Sequence, residues 1–478
     1  MSTINTNVAS LTAQISLAQS QSALNTSLQR LSTGLKINSG ADDPAGLIAS
    51  EGLKSEITGI NQAINNSTEA TNVISTADAA LGQVSNLLLA IKGLLVQSAN
   101  TGALTPDQLS ANQLQIDSAV QSITRISNTT TFAGLNLLNG SLNYITSGVN
   151  NSAIQSLQID QANFGTSPTL PVNVDVITSA RPAELQFTAS AISKSTTLNI
   201  AGASGTTTLS FVSGTTASAI AFAVNNVADT TGVTAALTNS ASNASGITFK
   251  SSGYGSANFV SVTALSGGSF QTQDAAGDQV SRTTGVDAVA TVNGALTVGQ
   301  GLNLHIDNAS LNLTLTLGKN FGAGTTSFDI TGGGALFQLG STVASNQQVD
   351  IGIQSVAASE LGNESTGHLS DLVTGGSATV TAGKAEAAEK IVELAIGQIS
   401  DLRGKLGAFE ENTLSTNVNS LNAALTNVTS SESTITDANF ASETANLTRA
   451  QILVQAGTSV LATANSTPKN VLSLLQNA

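Results

Sequence analysis

Two histidines, His305 and His368, are the only imidazoles in the chain, set in Leu-His-Ile-Asp and Gly-His-Leu-Ser. A helical zinc-hydrolase site needs two histidines on one face with a glutamate beside them, and neither histidine has a neighbour at that spacing. Asp274, Asp278 and Asp287 supply hard oxygen ligands, but their spacing fits no calcium loop and reads as a solvated edge. Gly202-Ala-Ser-Gly205 and Gly332-Gly-Gly334 lack the strand before, the helix after and the Lys-Ser/Thr of a phosphate loop, so they read as turns. Asn-X-Ser/Thr triplets, as at Asn243, Asn308 and Asn312, are what chance supplies in a chain this rich in those residues. Cysteine is absent, which removes disulfides and thiolate metal sites. No catalytic residue, no cofactor and no metal is expected, and the protein reads as a non-enzyme.

Charge narrows the partners. Sixteen Lys and Arg stand against 30 Asp and Glu, a net charge of −14. Phosphate binding needs clustered cations, so nucleic acid and anionic membranes are poor partners. No stretch approaches the apolar run of a membrane span. A basic segment followed by an apolar one is missing from the N-terminus, so export, if it occurs, uses another route than a secretory signal peptide. Only 10% of residues are charged and 3% aromatic, with 43 Gly and 6 Pro. That profile suits large packed surfaces better than disorder, which brings more charge and more proline.

The elements begin with a stretch that carries no Asp, Glu, Lys, Arg or His from Met1 to Gln29. Ile4, Val8, Leu11, Ile15 and Ala18 recur at spacings of four and three. Leu17, Leu24, Leu28, Leu31 and Leu35 form a second register, so the stretch is a helix with a Ser/Thr/Asn/Gln face. Such a helix is marginal alone in water and needs a partner. Asp43 as N-cap and Pro44 at the first helical position start a second helix. Ile57, Ile60, Ile64, Ile74, Leu81, Leu88 and Leu95 continue its stripe for roughly 75 Å at about 1.5 Å per residue. Asn100-Thr-Gly102 breaks it, and Thr105-Pro106-Asp107 starts a shorter antiparallel helix. From about Ser141 to Gly376 alternating runs such as Thr197–Ile200, Thr207–Val212 and Leu311–Leu317 predict strands, interrupted by a short helix near Thr216–Val227. Helix returns near Ala382 with Val392, Ile399 and Leu406, slips slightly in phase, and resumes at Leu414. Past Asp437, Phe440, Leu447, Val454 and Leu461 recur every seven residues. The fold class is therefore α+β: long coiled-coil-like helical rods formed by both chain ends, with a β-rich central insert. The rods are expected to pair, bringing the two weakly charged ends together, and their leftover amide and hydroxyl faces point to self-assembly.

Both ends resemble bacterial flagellin. The resemblance is carried by Leu31-Ser-Thr-Gly-Leu-Lys-Ile-Asn-Ser39, Ala41-Asp-Asp-Pro-Ala-Gly46 and Val96-Gln-Ser-Ala-Asn100. Towards the C-terminus it rests on Leu402-Arg403, Leu406-Gly-Ala408, Glu411-Asn412, Gln451-Ile-Leu-Val-Gln-Ala-Gly457, Val460-Leu-Ala462 and Val471-Leu-Ser-Leu-Leu475. It covers about 1–140 and 350–478, and Thr196 to about Leu265 looks like the flagellin hook IN motif. The resemblance implies a subunit of the extracellular flagellar filament. Residues 1–42 and 436–478 would form its inner core, 43–180 and 350–435 a rod domain with a β-hairpin, and 181–349 an outer variable domain. Leu472 and Leu475 join the inner-core set on this basis. It also implies type III export, a secretion chaperone and a filament cap as partners. The family's toll-like receptor patch is degenerate here: Leu94 matches, but Ala90 and Gln115 stand where the family has an arginine and a glutamate. A hook–filament junction protein and a secreted adhesin on a helical stalk are the alternatives.

Overall fold

The computed structural model describes residues 6–165, 167–239, 246–267, 270–308 and 310–476, with side chains as far as Thr467. Helices take both ends and strands the middle. The helices are α1 (Val8–Thr33), α2 (Pro44–Ser98), α3 (Pro106–Thr129), α4 (Ala217–Asn225), α5 (Ala228–Thr231), α6 (Ala385–Ala408), α7 (Thr416–Thr436) and α8 (Phe440–Gln476). The chain divides into two compact units: Met1–Glu69 with Gln338–Val343 and Asn412–Ala478, and Ala70–Phe337 with Ala344–Glu411.

In the first unit α1 ends where the sequence supplies a left-handed cap. Gly34 has φ 75° and returns its N–H to the carbonyl of Arg30, a conformation that a β-carbon would strain. Leu35 is thereby taken out of the α1 stripe to which its spacing had assigned it. It bridges to Asp437 instead, flanked by hydrogen bonds from Lys36 N–H to Thr436 (2.6 Å) and from Ala438 N–H to Gly34 (2.8 Å). Asp43 starts α2 as expected, accepting from Gly46 N–H at 2.9 Å. The buried stripe of early α2 runs through Ile60, Ala63 and Ser67, at 0–3% exposure, while Ile57 and Ile64 are half-buried beside it. Small residues win here because other chain comes close. Asn417 Nδ2 donates to Ser67 Oγ (3.1 Å) and to Leu339 O (2.9 Å), and Asn66 Nδ2 to Gln338 O (3.1 Å).

In the second unit the remaining stripe of α2 is sealed. Ile74, Leu81, Leu88 and Leu95 are 0–1% exposed, as are Ile116 and Ile123 of α3 and Val392, Ile399 and Leu406 of α6. Bidentate Arg403–Asp78 (2.8 and 3.2 Å) and Lys92–Glu393 (2.8 Å) fix α2 antiparallel to α6. One exclusion needs correcting: α2 is long and apolar enough to cross a membrane by length and composition. Ile74, Leu81, Leu88, Ile91 and Leu95 are buried in this packing, while Ile48 and Leu89 stay exposed. The phase slip after α6 is a π-helical segment, Phe409–Ser415, which absorbs the extra residue and lets Leu414 return to the buried face at 0% exposure.

The β region holds two cores. The first lies between a five-stranded sheet (Tyr144–Ser147, Leu170–Thr178, Val289–Val292, Ala295–Val298, Gly324–Gly333) and a three-stranded one (Ile154–Ala162, Asn303–Asp307, Leu311–Leu317). Val172, Val174, Phe328 and Ile330 meet Ile159, Leu304, Leu313 and Leu315 between them. This core draws strands from both sides of residue 180, so the 180/181 boundary expected from sequence falls inside it. The second core, between Pro182 and Thr284, is nested within the first and packs α4 on Leu185, Leu198, Ile200 and Phe249. Arg181 and Val286 exchange two hydrogen bonds of 2.9 Å where the chain enters and leaves it.

Candidate assembly surface on the terminal helices

α1 and α8 pack antiparallel. Asn7 caps α1 by accepting from Ser10 N–H (3.0 Å) and donates from Nδ2 to Ala464 O (2.8 Å), while Ser10 Oγ donates to Asn465 Oδ1 (2.6 Å). Further along, Leu17 lies against Gly457, where an added β-carbon would stand 3.3 Å from Leu17 Cδ1. At the far end Arg30 meets Glu443 at 4.0 Å.

That register reveals a seam that a search for large apolar residues misses. On α1 it is Ser10, Ala13, Leu17, Ser20, Leu24, Ser27 and Leu31. On α8 it is Glu443, Leu447, Ala450, Val454, Gly457, Leu461 and Ala464. None of these residues is exposed. Both series alternate by three and four, and counting along the register from the Leu17–Gly457 contact sets small opposite large almost throughout: Ala13 with Leu461, Ser20 with Val454, Leu24 with Ala450, Ser27 with Leu447. Pairing small with large keeps the summed volume of each layer nearly constant.

Of the residues proposed from sequence for the inner core, Leu24, Leu31, Leu447, Val454 and Leu461 lie half-buried in this seam. Val8 (62% exposed), Leu11 (55%), Ile15 (54%), Leu28 (48%) and Phe440 (62%) do not: they face outward, joined by Ile452, Leu453 and Val460. α8 leaves Val8, Leu11 and Ile15 uncovered, since the seam occupies a different face of α1. Ile4 and the side chains of Leu472 and Leu475 lie outside the described residues. In the receptor-patch positions Ala90 and Gln115 are exposed and Leu94 is half-buried.

The polar faces of the pair are largely self-satisfied. Thr12, Ser20, Thr26 and Thr33 donate to the carbonyl four residues back at 2.9–3.0 Å. Thr444, Thr448, Thr463 and Thr467 do the same on α8 at 2.7–3.1 Å. A hydroxyl already bonded to its own helix loses little when water leaves. The surface is thus mixed in composition yet cheap to desolvate.

Elsewhere the titratable groups serve the fold. Asp42 accepts from Asn38 N–H, Ser39 N–H and Ser39 Oγ, and these bonds hold its carboxyl below the usual range. Asp287 is held low in the same way, by Ser256 and Gly301 N–H. Asp350 goes the other way. It is 9% exposed, its Oδ1 has no hydrogen-bond partner, and burial pushes it up to about 6, partly offset by Ile351 N–H and the Tyr144 hydroxyl. Tyr144, 6% exposed, is itself raised by burial first and by Asp350 second. His305 Nδ1 sits 3.1 Å from Thr314 Oγ1. Asp274 closes a turn on Ala276 and Asp278 N–H. Among the described residues no three His, Cys, Asp or Glu gather in metal-holding geometry.

Comparison with known proteins agrees with the ends and the middle alike. The family profile for the bacterial flagellin N-terminal helical region matches residues 4–143, that for the C-terminal helical region 390–475, and that for the flagellin hook IN motif 197–253. A flagellin of Salmonella rubislaw is 31% identical, and a B-type flagellin of Pseudomonas aeruginosa 32%, each over 99% of both chains. Among solved structures, flagellar hook associated protein-3 of Legionella pneumophila is 12% identical with a TM-score of 0.31 over 80% of this chain and 97% of that one, a likeness too loose to carry an argument. Helical ends, nested β insert and full-length relatives converge: the chain belongs to the bacterial flagellin family.

Proposed function

We infer that this chain is a structural subunit that polymerises through its terminal helices into the extracellular flagellar filament of a swimming bacterium. The observation that carries the reading is the outward stripe of Val8, Leu11 and Ile15 on a helix already paired through its other face. Copies of the same pair, set side by side, cover those side chains, and the self-bonded hydroxyls let the polar faces follow. The three-and-four alternation of the seam makes α1 and α8 a coiled-coil element. Residues 1–42 and 436–478 form the inner core, the helical parts of 43–180 and 350–435 the surrounding rod, and the two β cores the outer part, with no division at 180/181 because the first β core spans it. The export apparatus, a secretion chaperone and the filament cap are the accessory partners. Toll-like receptor recognition is weak because Ala90 and Gln115 carry no charge, and a reporter assay with purified monomer returning the potency of a receptor-active flagellin would refute that. The junction-protein and adhesin readings are less favoured, since full-length relatives are named flagellin.

Truncation tests the function. Removal of residues 1–35 or 450–478 abolishes seeded filament growth under the electron microscope and leaves the β cores folded. Filaments formed by either truncated chain would overturn the inference.

A further inference from the structure

The terminal pair is almost free of charge, and its three charged residues with described side chains, Arg30, Glu443 and Arg449, all line one groove between α1 and α8. The groove measures about 520 Å3, and hydroxyl and amide groups make up much of the rest of its wall. Its charges do not balance: two guanidinium groups face a single carboxylate. Arg30 reaches Glu443 only at 4.0 Å, and its buried Nε has no hydrogen-bond partner. Arg449 is exposed and forms no ion pair among the described residues. Glu443, at 8% exposure, pairs with Arg30 and not with Arg449. We propose that this groove receives a carboxylate side chain from outside the terminal pair of a neighbouring copy of the chain, a contact that fixes how neighbouring copies register against one another.

The chemistry selects the occupant. An arginine fork matches a carboxylate in plane and in spacing, and it strengthens as water leaves the site. The chain carries 14 more acidic than basic residues, so a second copy brings carboxylates in excess. Leu453, 49% exposed at the groove wall, supplies apolar surface that a macromolecular neighbour covers and a free ion does not. The apolar stripe alone is tolerant of sliding; one paired charge is not. The proposal rests on the filament reading above.

The test uses the full chain grown on sheared filament seeds, with the critical concentration read by sedimentation at low and high sodium chloride. Arg449→Gln is expected to raise the critical concentration about tenfold, the worth of one modest charge pair. Arg449→Glu raises it further, and Arg449→Lys falls between wild type and Arg449→Gln, because the charge remains while the fork is lost. Thermal melts of the monomers coincide, since Arg449 has no partner there, and high salt narrows the gap between wild type and Arg449→Gln. Wild-type critical concentration in Arg449→Gln, or an Arg449→Lys as defective as Arg449→Glu, overturns the proposal. So does a wild type that needs added phosphate or sulfate, because the occupant is then a free anion. Wild-type protein that forms no filament at all refutes the filament reading itself and this proposal with it.

Discussion

Replacing Asp350 by asparagine should stabilise the first β core, and the amount depends on pH in a defined direction. Asp350 is buried with an unpartnered Oδ1, close enough to Gly334 that an added β-carbon there would lie 2.2 Å away. Its folded pKa of about 6 lies above the ordinary 3.8, so the native state holds the extra proton between those values. Stability therefore declines as pH rises through that window, and the whole penalty is present above pH 6. Two units at about 1.4 kcal/mol each set it at about 3 kcal/mol. Asparagine keeps the shape and removes the charge, so Asp350→Asn gains up to about 3 kcal/mol at pH 7.5 and close to nothing below pH 3.8. The chain has no tryptophan; Tyr144 lies in this core, and Tyr254, on a strand of the second core, packs against it. Tyrosine fluorescence during urea unfolding consequently follows this core together with its contact to the second. A wild type that grows more stable between pH 4 and 6 by this probe, or curves for the two proteins that run parallel across that range, would refute the reasoning.

Three other substitutions probe the terminal pair. Gly457→Val drives a branched side chain at Leu17, already 3.3 Å from a bare β-carbon, and should cost about 1–3 kcal/mol of α1–α8 pairing, seen as lost helicity by circular dichroism. Ile15→Ser, at a residue 54% exposed, should leave the monomer melt unchanged within about 0.5 kcal/mol yet raise the critical concentration for growth; unchanged growth would remove the stripe from the interface. Gly34→Ala meets open space but keeps φ near 75°, so it should cost about 1 kcal/mol in the same circular-dichroism melt.

Much of this was legible because it is local. Asp43–Pro44 and Thr105–Pro106 mark helix starts that the structure keeps, with Thr105 and Gln108 forming a capping box. Leu311–Leu317 is a strand over the very residues whose alternation announces it. Even the π-helical segment leaves its trace as a slip in phase. The seam was less legible, since periodicity is read from large apolar side chains, and here Ser10, Ser27, Ala450 and Gly457 hold positions that matter for being small. Arg30 and Glu443 are drawn together from opposite ends of the chain, which no spacing records. The nesting of one β core in another is equally non-local, so the 180/181 boundary was placed where composition changes and not where pairing does.

The Arg181–Val286 bridge makes the inner β core a cassette whose two ends lie side by side. Because its two ends meet across one pair of hydrogen bonds, the material between them can be lengthened, shortened or exchanged at little cost to the frame that holds it, as the slow growth of loop-closure entropy with length requires. A lineage can then redraw this part of the subunit by splicing whole modules, while the helical ends stay bound to the geometry of their neighbours.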